Sequence, residues 1–146
     1  PFHLAVFDAD AAEAIMEQEV SVQDWYLAGH SLGGVMASSF AADQTDRVDG
    51  LIFLASYPSN DLTDAPFPVL SIYGSEDEVL NRESYDEAQA KLPDDYTEIV
   101  LDGGNHGQFG DYGPQEGDGT ASFSADQQQQ QTVEAITAFI GNSHQQ

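Results

Sequence analysis

The apolar residues of this chain are concentrated in short runs that are separated by polar and glycine-rich segments. Residues 51–55 are apolar at every position, which is typical of a parallel strand covered on both faces of its sheet. Four other runs have the length and the apolar content expected of strands. Strands are therefore predicted at residues 2–7, 22–28, 51–55, 69–73 and 96–101.

Between these strands, apolar residues recur at the spacing of amphipathic helices. Helices are predicted at residues 8–19, from 32 to about 42, at 81–91, and after a cap at Ser124. In the last helix, residues 127–131 are expected to form solvated first turns. Its predicted apolar stripe consists of Val133, Ile136, Phe139 and Ile140.

The alternation of strands with helices indicates an α/β fold. We expect a mostly parallel sheet of about five strands with flanking helices, formed by residues 1–146 as a single domain. In such a sheet the carboxyl ends of the strands lie at one edge, where ligands and reacting groups collect. Polar residues that directly follow a strand are therefore the candidates for chemistry.

One predicted strand leads into the sequence Gly29-His30-Ser31-Leu32-Gly33, and small residues that suit the start of a helix follow. A G-x-S-x-G pattern between a strand and a helix is the context of a nucleophile elbow, in which a tight turn exposes the serine hydroxyl. We expect side chains at Gly29 and Gly33 to collide with neighbouring backbone. His30 is expected to line or support the pocket beside the serine.

Asp77 and His106 also lie directly beyond predicted strands, so both are expected to meet Ser31 at one edge of the sheet. A histidine can take the proton of a serine hydroxyl, and a carboxylate can hold the other ring nitrogen of that histidine. The residues alone leave the choice of this acid open, with Asp77 as one candidate. The neighbouring candidates for this acid are Glu76, Glu78 and Asp102.

The chain order Ser31, Asp77, His106 is the order of the α/β-hydrolase family, which the chain resembles from Val22 to its last helix. The resemblance implies a truncated three-layer α/β/α fold and a serine esterase or related hydrolase that cleaves a small ester-like substrate through an acyl-enzyme. It assigns Ser31 as nucleophile, His106 as base and acid, and Asp77 as the residue that orients the histidine. The backbone N–H of Leu32 is the implied oxyanion donor, and no cofactor or metal is implied.

Two polar segments that follow strand ends, residues 56–68 and 107–121, are expected to shape the substrate pocket. Substrate preference in such folds resides mainly in loops. Four aromatic side chains in these segments either line a modest apolar pocket or pack within the loops: Tyr57, Phe67, Phe109 and Tyr112.

The same resemblance matches residues 2–7 to the fourth strand of the family. The first three strands, and the loop that carries the second oxyanion donor, then have no counterpart in the chain. Residues 2–7 are expected to pair directly with residues 22–28 and to leave an exposed apolar edge. Such an edge would allow a homodimer through edge pairing, or the docking of a separate N-terminal piece. The alternative to an active enzyme is accordingly an inactive or partner-dependent half-domain.

The charge changes the picture of the surface, because 26 acidic residues against three basic ones give a formal net charge of −23. Nucleic acid is a poor partner for such a chain. The acids are scattered between strongly apolar segments, which indicates a folded core beneath an acidic surface, as in proteins of salt-loving microbes. The chain has no cysteine, no membrane-spanning apolar run and no signal-peptide pattern, so a cytoplasmic location is expected.

Two further motifs allow different chemistry. Asp8 and Asp10 resemble the start of haloacid-dehalogenase-type phosphatases, so a Mg-dependent phosphatase is a weaker alternative. The residue two positions after Asp10 is alanine where that family has Thr or Val, and helix capping explains both aspartates. Asp111, Glu116 and Asp118 lie in a glycine-rich loop, but they do not have EF-hand spacing, and a solvated acidic loop is expected there instead of a calcium site.

Overall fold

The computed structural model describes residues 11–143, in which helices and strands alternate along the chain. The strands are β1, Tyr26–His30; β2, Gly50–Leu54; β3, Val69–Gly74; and β4, Tyr96–Leu101. The helices are α1, Ala11–Gln18; α2, Leu32–Asp43; α3, Arg82–Ala88; and α4, Ala125–Ser143. Short 3₁₀ helices lie at Gln89–Lys91 and Gly107–Phe109.

The four strands form one parallel sheet in the order β1-β2-β3-β4. The register places Leu27 opposite Leu51, and Ile52 opposite Leu70. The predicted α/β fold with a parallel sheet is confirmed. The predicted strand at residues 2–7 lies outside the described residues, so its pairing with β1 and a homodimer through the sheet edge stay predictions.

β1 begins four residues later than predicted. The ladder starts where Tyr26 lies opposite Gly50, and the predicted first residue, Val22, is exposed. One residue before the ladder, the N–H of Trp25 donates to the side chain of Asp49 at 2.7 Å, and the carbonyl of Trp25 accepts the N–H of Asp49 at 2.8 Å. Asp49 therefore closes this end of the β1–β2 pair.

The core lies on both faces of β2 and β3, because these strands are flanked by β1 and β4 and covered from both sides. Alternate residues of a strand point to opposite faces, so one strand supplies both clusters. Burying one of these large apolar side chains contributes roughly 1.5–3 kcal/mol. The buried members on the α2 side are Ala41, Val48, Leu51, Phe53, Leu62, Phe67 and Val69, and those on the α4 side are Ile52, Leu70, Ile72 and Leu101.

α4 buries a face that is partly different from the predicted stripe. Ile136 and Phe139 pack against the sheet as expected, whereas Val133 is 61% exposed. Gln128 was predicted to be solvated, but it is completely buried, and Thr132 is buried one turn further on. The first turns of α4 lie against the loop after β4 rather than against the sheet, so their buried side chains are polar.

Candidate active site

Ser31 lies on a tight turn between β1 and α2. Its φ of 53° and ψ of −123° are strained for a residue with a side chain. The N–H of Ser31 donates to the carbonyl of Leu54 at 3.0 Å, which extends the β1–β2 ladder by one residue. A Cβ atom on Gly29 would overlap the backbone of Gly33 and Gly34, so a glycine is required at this position as predicted.

The prediction for the second glycine of the motif was wrong. A Cβ atom on Gly33 would meet nothing within 4 Å. The crowded position is Gly34, where a Cβ atom would lie 2.5 Å from Ser56 Oγ and 2.8 Å from the carbonyl oxygen of Gly29. The second small residue is needed one position later because this side of α2 lies directly against the ends of β1 and β2.

Ser56, which no sequence pattern singled out, lies just beyond the end of β2 and hydrogen-bonds to the turn at Ser31. Ser56 is buried, and its Oγ donates to the carbonyl oxygen of Ser31 at 2.6 Å. The residue before it, Ala55, has a φ of 49°, similar to that of Ser31. Ser56 comes almost directly after an apolar strand, which is the signal that singled out Ser31, Asp77 and His106.

Asp77 and His106 form a buried pair beyond the carboxyl ends of β3 and β4. Asp77 Oδ2 lies 2.8 Å from His106 Nδ1, and the exposed fractions of the two residues are 8% and 2%. The second carboxylate oxygen, Oδ1, accepts the N–H of Val79 at 2.9 Å and the N–H of Leu80 at 2.8 Å. The carboxylate is thus fixed by three hydrogen bonds.

These bonds determine the charge of Asp77 and the tautomer of His106. Burial by itself raises the pKa of the Asp77 carboxyl, but the hydrogen bonds from His106, Leu80 and Val79 outweigh it, so the pKa lies below its ordinary value. An ionised carboxylate only accepts hydrogen bonds, so Nδ1 of His106 carries the proton. In this tautomer the lone pair lies on Nε2, on the other side of the ring. Among the described residues this buried Nε2 has no hydrogen-bond partner.

The neighbouring candidates for the acid lie elsewhere. Glu76, Glu78 and Asp102 are all exposed. Glu76 accepts a hydrogen bond from Ser75 Oγ at 3.0 Å. No hydrogen bond among residues 11–143 joins any of these three carboxylates to His106.

Ser31 and His106 lie in the wall of one cavity of about 240 Å³. The cavity is lined by Ser31, Leu32, Val35, Ala55, Ser56, Tyr57, Val79, Leu80, Asn81 and His106. Of the four aromatic residues expected near a pocket, Tyr57 lines this cavity. Phe67 is instead part of the core, and Phe109 and Tyr112 lie beside the ring of His30.

Leu32 is the first residue of α2, where backbone N–H groups have no partner within the helix. No hydrogen bond within the described part of the chain uses the N–H of Leu32, whereas the N–H of Ser31 is bonded to Leu54. The positive end of the α2 dipole lies at the same place, which favours a negative charge there.

His30 supports the loop that carries His106. Its Nε2 lies 3.0 Å from the carbonyl oxygen of His106, and the two rings are 4.7 Å apart. The ring of Tyr112 stacks on His30 at 5.5 Å. Burial and the neighbouring His106 lower the pKa of His30. The hydrogen bond to His106 and the carboxylates of Asp77 and Asp118 raise it, but by less, so the pKa lies below its ordinary value. The neutral ring therefore donates through Nε2 to the His106 carbonyl.

Two residues that sequence reasoning did not assign to the site also hold this loop. The side chain of Gln128 accepts the N–H of Asn105 at 3.1 Å and donates to the carbonyl of Asn105 at 2.8 Å. The carboxylate of Asp118 accepts the N–H of His106 at 3.1 Å and the N–H of Gly107 at 2.8 Å. Neither role has a local sequence signal, because each depends on a tertiary approach.

The motifs for other chemistry have different outcomes. Asp8 and Asp10, on which the phosphatase alternative rests, lie outside the described residues. Within residues 11–143, no group of His, Asp and Glu side chains has an arrangement suited to holding a metal ion. None of the helices in this range combines the length and apolar character needed to cross a bilayer.

The chain belongs to the alpha/beta hydrolase family, whose model it matches over residues 1–130. The resemblance drawn from the order of Ser31, Asp77 and His106 is thereby confirmed at the level of the family. No curated protein sequence matches the chain significantly.

Solved structures with the same fold come from several microbes. Est1E from Butyrivibrio proteoclasticus has a TM-score of 0.68 and 16% identity, over 99% of this chain and 72% of that chain. A carboxylesterase from the thaumarchaeon Nitrososphaera gargenis has a TM-score of 0.65 and 12% identity, over 98% and 74% of the two chains. A predicted CIB-like hydrolase from Thermoplasma acidophilum has a TM-score of 0.59 and 19% identity, over 73% and 53%. The present chain therefore spans about half the length of the Thermoplasma protein.

Proposed function

We propose that the chain is a serine hydrolase that cleaves carboxylic esters through an acyl-enzyme on Ser31. The observation that carries the proposal is the buried Nε2 of His106, which is unpartnered among the described residues, in a residue that lines the same cavity as Ser31. A buried polar atom without a partner costs free energy, so it needs a functional explanation. A nitrogen reserved for the proton of an attacking hydroxyl supplies one.

In the proposed reaction, Ser31 Oγ attacks the ester carbonyl carbon while His106 Nε2 takes the hydroxyl proton. The oxyanion that forms accepts a hydrogen bond from the N–H of Leu32 at the positive end of α2. The protonated ring then gives its proton to the leaving alcohol, and a water molecule releases the acyl group in the same way. Asp77 holds Nδ1 throughout and stabilises the imidazolium.

Ser31 Oγ and His106 Nε2 are not hydrogen-bonded in the structure. Such bonds are often long or poorly aligned without substrate and tighten only in the reacting complex. The proposal therefore requires the Ser31 hydroxyl to turn toward Nε2 when a substrate fills the cavity.

The ester bond is the favoured target for two reasons. The Nitrososphaera protein of the same fold is a carboxylesterase. The cavity beside Ser31 is only about 240 Å³ and carries the apolar side chains of Val35, Val79 and Leu80, which suit a small acyl group. We expect a panel of p-nitrophenyl esters at high salt to show highest turnover for short acyl chains.

Labelling with a fluorophosphonate probe tests the nucleophile directly. We expect the probe to label Ser31, as located by peptide mass spectrometry, and the label to be absent in Ser31→Ala. In His106→Ala the labelling rate should fall by on the order of 10³ or more, because the hydroxyl loses its base. Ser59→Ala, which changes an exposed serine after β2, is the matched control and should label like the unmodified chain.

The competing proposal is an inactive or partner-dependent half-domain. It is favoured by the lack of a hydrogen bond between Ser31 Oγ and His106 Nε2 within the described residues. Folded protein that fails to label at high salt would support this second reading and contradict the first.

A further inference from the structure

The loop that carries His106 is bound by a carboxylate that reaches it from a later segment of the chain. Asp118 Oδ1 lies 3.1 Å from the backbone nitrogen of His106, and Asp118 Oδ2 lies 2.8 Å from that of Gly107. Oδ1 also accepts the N–H of Gly119 at 2.9 Å. Both oxygens of this half-buried side chain are therefore engaged with backbone N–H groups.

A third bond joins the same two segments. The side-chain amide of Asn105 donates to the carbonyl of Gly119 at 2.9 Å. The segment around Asp118 thus contacts the residue before His106, His106 itself and the residue after it. Asp111, Glu116 and Asp118 were all expected to lie in a solvated acidic loop. Asp111 and Glu116 are exposed, whereas Asp118 is half-buried.

We propose that Asp118 is a positioning residue for His106. The two N–H groups belong to the peptide units on either side of the His106 Cα atom, so the carboxylate fixes both units and with them the direction of the His106 Cα–Cβ bond. Asp77 acts on the same histidine at a different point, since it binds Nδ1 of the ring. Two carboxylates from separate loops hold one imidazole, one through the ring and the other through the backbone. This inference rests on the proposed function of His106.

The chemistry of the side chain explains why an aspartate is needed. A carboxylate offers acceptors on both oxygens, whereas an amide of the same size offers one acceptor and one donor group. Asn at position 118 would direct its NH₂ group at one of the two backbone N–H groups. The bond on that side would be lost and replaced by a repulsion between donors.

The experiment compares Asp118→Asn with Asp111→Asn, which makes the same change at an exposed carboxylate of the same loop that accepts no hydrogen bond among the described residues. Ester hydrolysis and the downfield proton resonance of the His106 Nδ1–H are measured at high salt for each. In Asp118→Asn we expect kcat to fall by about 10- to 100-fold with KM nearly unchanged, as for a small misplacement of a reacting group. The Nδ1–H resonance should shift or broaden. Asp111→Asn should leave both readouts unchanged.

A merely structural role for Asp118 would lower the melting temperature and leave kcat and the proton resonance of the folded protein unchanged. That result overturns the proposal. If Asp118→Asn does not fold, Asp118→Glu decides by the same readouts, because it keeps both acceptor oxygens and moves them by one methylene. A native kcat and a native resonance in Asp118→Glu would then overturn it.

The resonance also separates this proposal from the proposed function. If the unmodified chain hydrolyses no ester and does not label, the ester hydrolase proposal fails. A resonance that moves in Asp118→Asn and stays in place in Asp111→Asn still supports the positioning of His106 by Asp118, and one that stays in place in both contradicts it.

Discussion

The turn at Ser31 shows how closely two pieces of backbone approach at single residues. Gly29 faces the first turn of α2, and Gly34 faces the end of β2, with no room for a methyl group at either position. Gly33 lies between them in sequence but points into open space. Whether a position in this turn must be glycine therefore depends on the direction of its Cα–Cβ bond. The G-x-S-x-G pattern does not specify that direction.

Gly34→Ala and Gly33→Ala should have opposite effects on stability. We expect Gly34→Ala to lower the free energy of unfolding by about 1–3 kcal/mol, because the added methyl group must displace Ser56 and the Gly29 carbonyl. Gly33→Ala should raise it by up to about 0.5–1 kcal/mol, since alanine favours the helix and meets no obstacle. Urea unfolding at high salt measures both. Equal losses in the two variants would contradict the difference in crowding.

The candidate site residues divide according to the kind of signal that reveals them. Ser31, Asp77 and His106 each follow an apolar strand, and parallel strands bring such positions to one edge, so their meeting was predictable. Asp118 and Gln128 lie far from any strand end. They reach the site because the loop after β4 lies against the start of α4 and against the segment around Asp118. No local pattern in the sequence specifies these contacts.

At the scale of elements, β2, β3 and β4 were predicted to within one residue because they are continuous apolar runs or end at glycine and aspartate turns. The start of β1 was not predictable in the same way. Val22 has the apolar character of a strand, but the ladder is limited by its neighbour, in which Asp49 precedes the first paired residue. A ladder extends only as far as both strands supply paired residues, and where the neighbouring strand begins is encoded elsewhere in the chain.

Two glutamines in the first turns of α4 differ in burial. Gln128 satisfies both backbone groups of Asn105, whereas Gln131 lies exposed one turn further on. We expect Gln128→Ala to lower the free energy of unfolding by about 2–4 kcal/mol, because an N–H and a carbonyl lose their partners inside the protein. Gln131→Ala is the matched control and should change it by less than about 0.5 kcal/mol. Similar values for the two variants in urea unfolding would show that the Gln128 bonds contribute little.

For the whole molecule, the acidic surface is the dominant electrostatic feature. Of the three basic residues, Arg47 lies 3.4 Å from Glu13, and Arg82 lies 4.0 Å from Asp86. Lys91 donates to the carbonyl of Ser59. Most of the 26 acidic residues can therefore have no basic side chain as a partner. Their mutual repulsion extends over about 30 Å at 0.01 M salt but only about 3 Å at 1 M.

The melting temperature should consequently rise with salt. Relief of a few kcal/mol of repulsion corresponds to a rise of at least about 5 °C between low salt and molar salt in a domain of this size. Scanning calorimetry in KCl measures it. The triple variant Glu87→Gln, Asp94→Asn, Glu116→Gln removes three exposed charges and should show a smaller rise. A melting temperature that is independent of salt would refute this account.

The hydrogen bond from the Ser31 N–H to the Leu54 carbonyl ties the position of Ser31 to the sheet. Ser31 is a continuation of the β1–β2 ladder and does not belong to a free loop. Exposed positions of residues 56–68 and 107–121 can therefore change without moving the proposed nucleophile, whereas Ser56 and Asp118 in these segments are hydrogen-bonded to the Ser31 turn and the His106 loop. Directed evolution of substrate range should accordingly find its tolerated changes at the exposed positions of those two segments, and few at the paired residues that end β1 and β2.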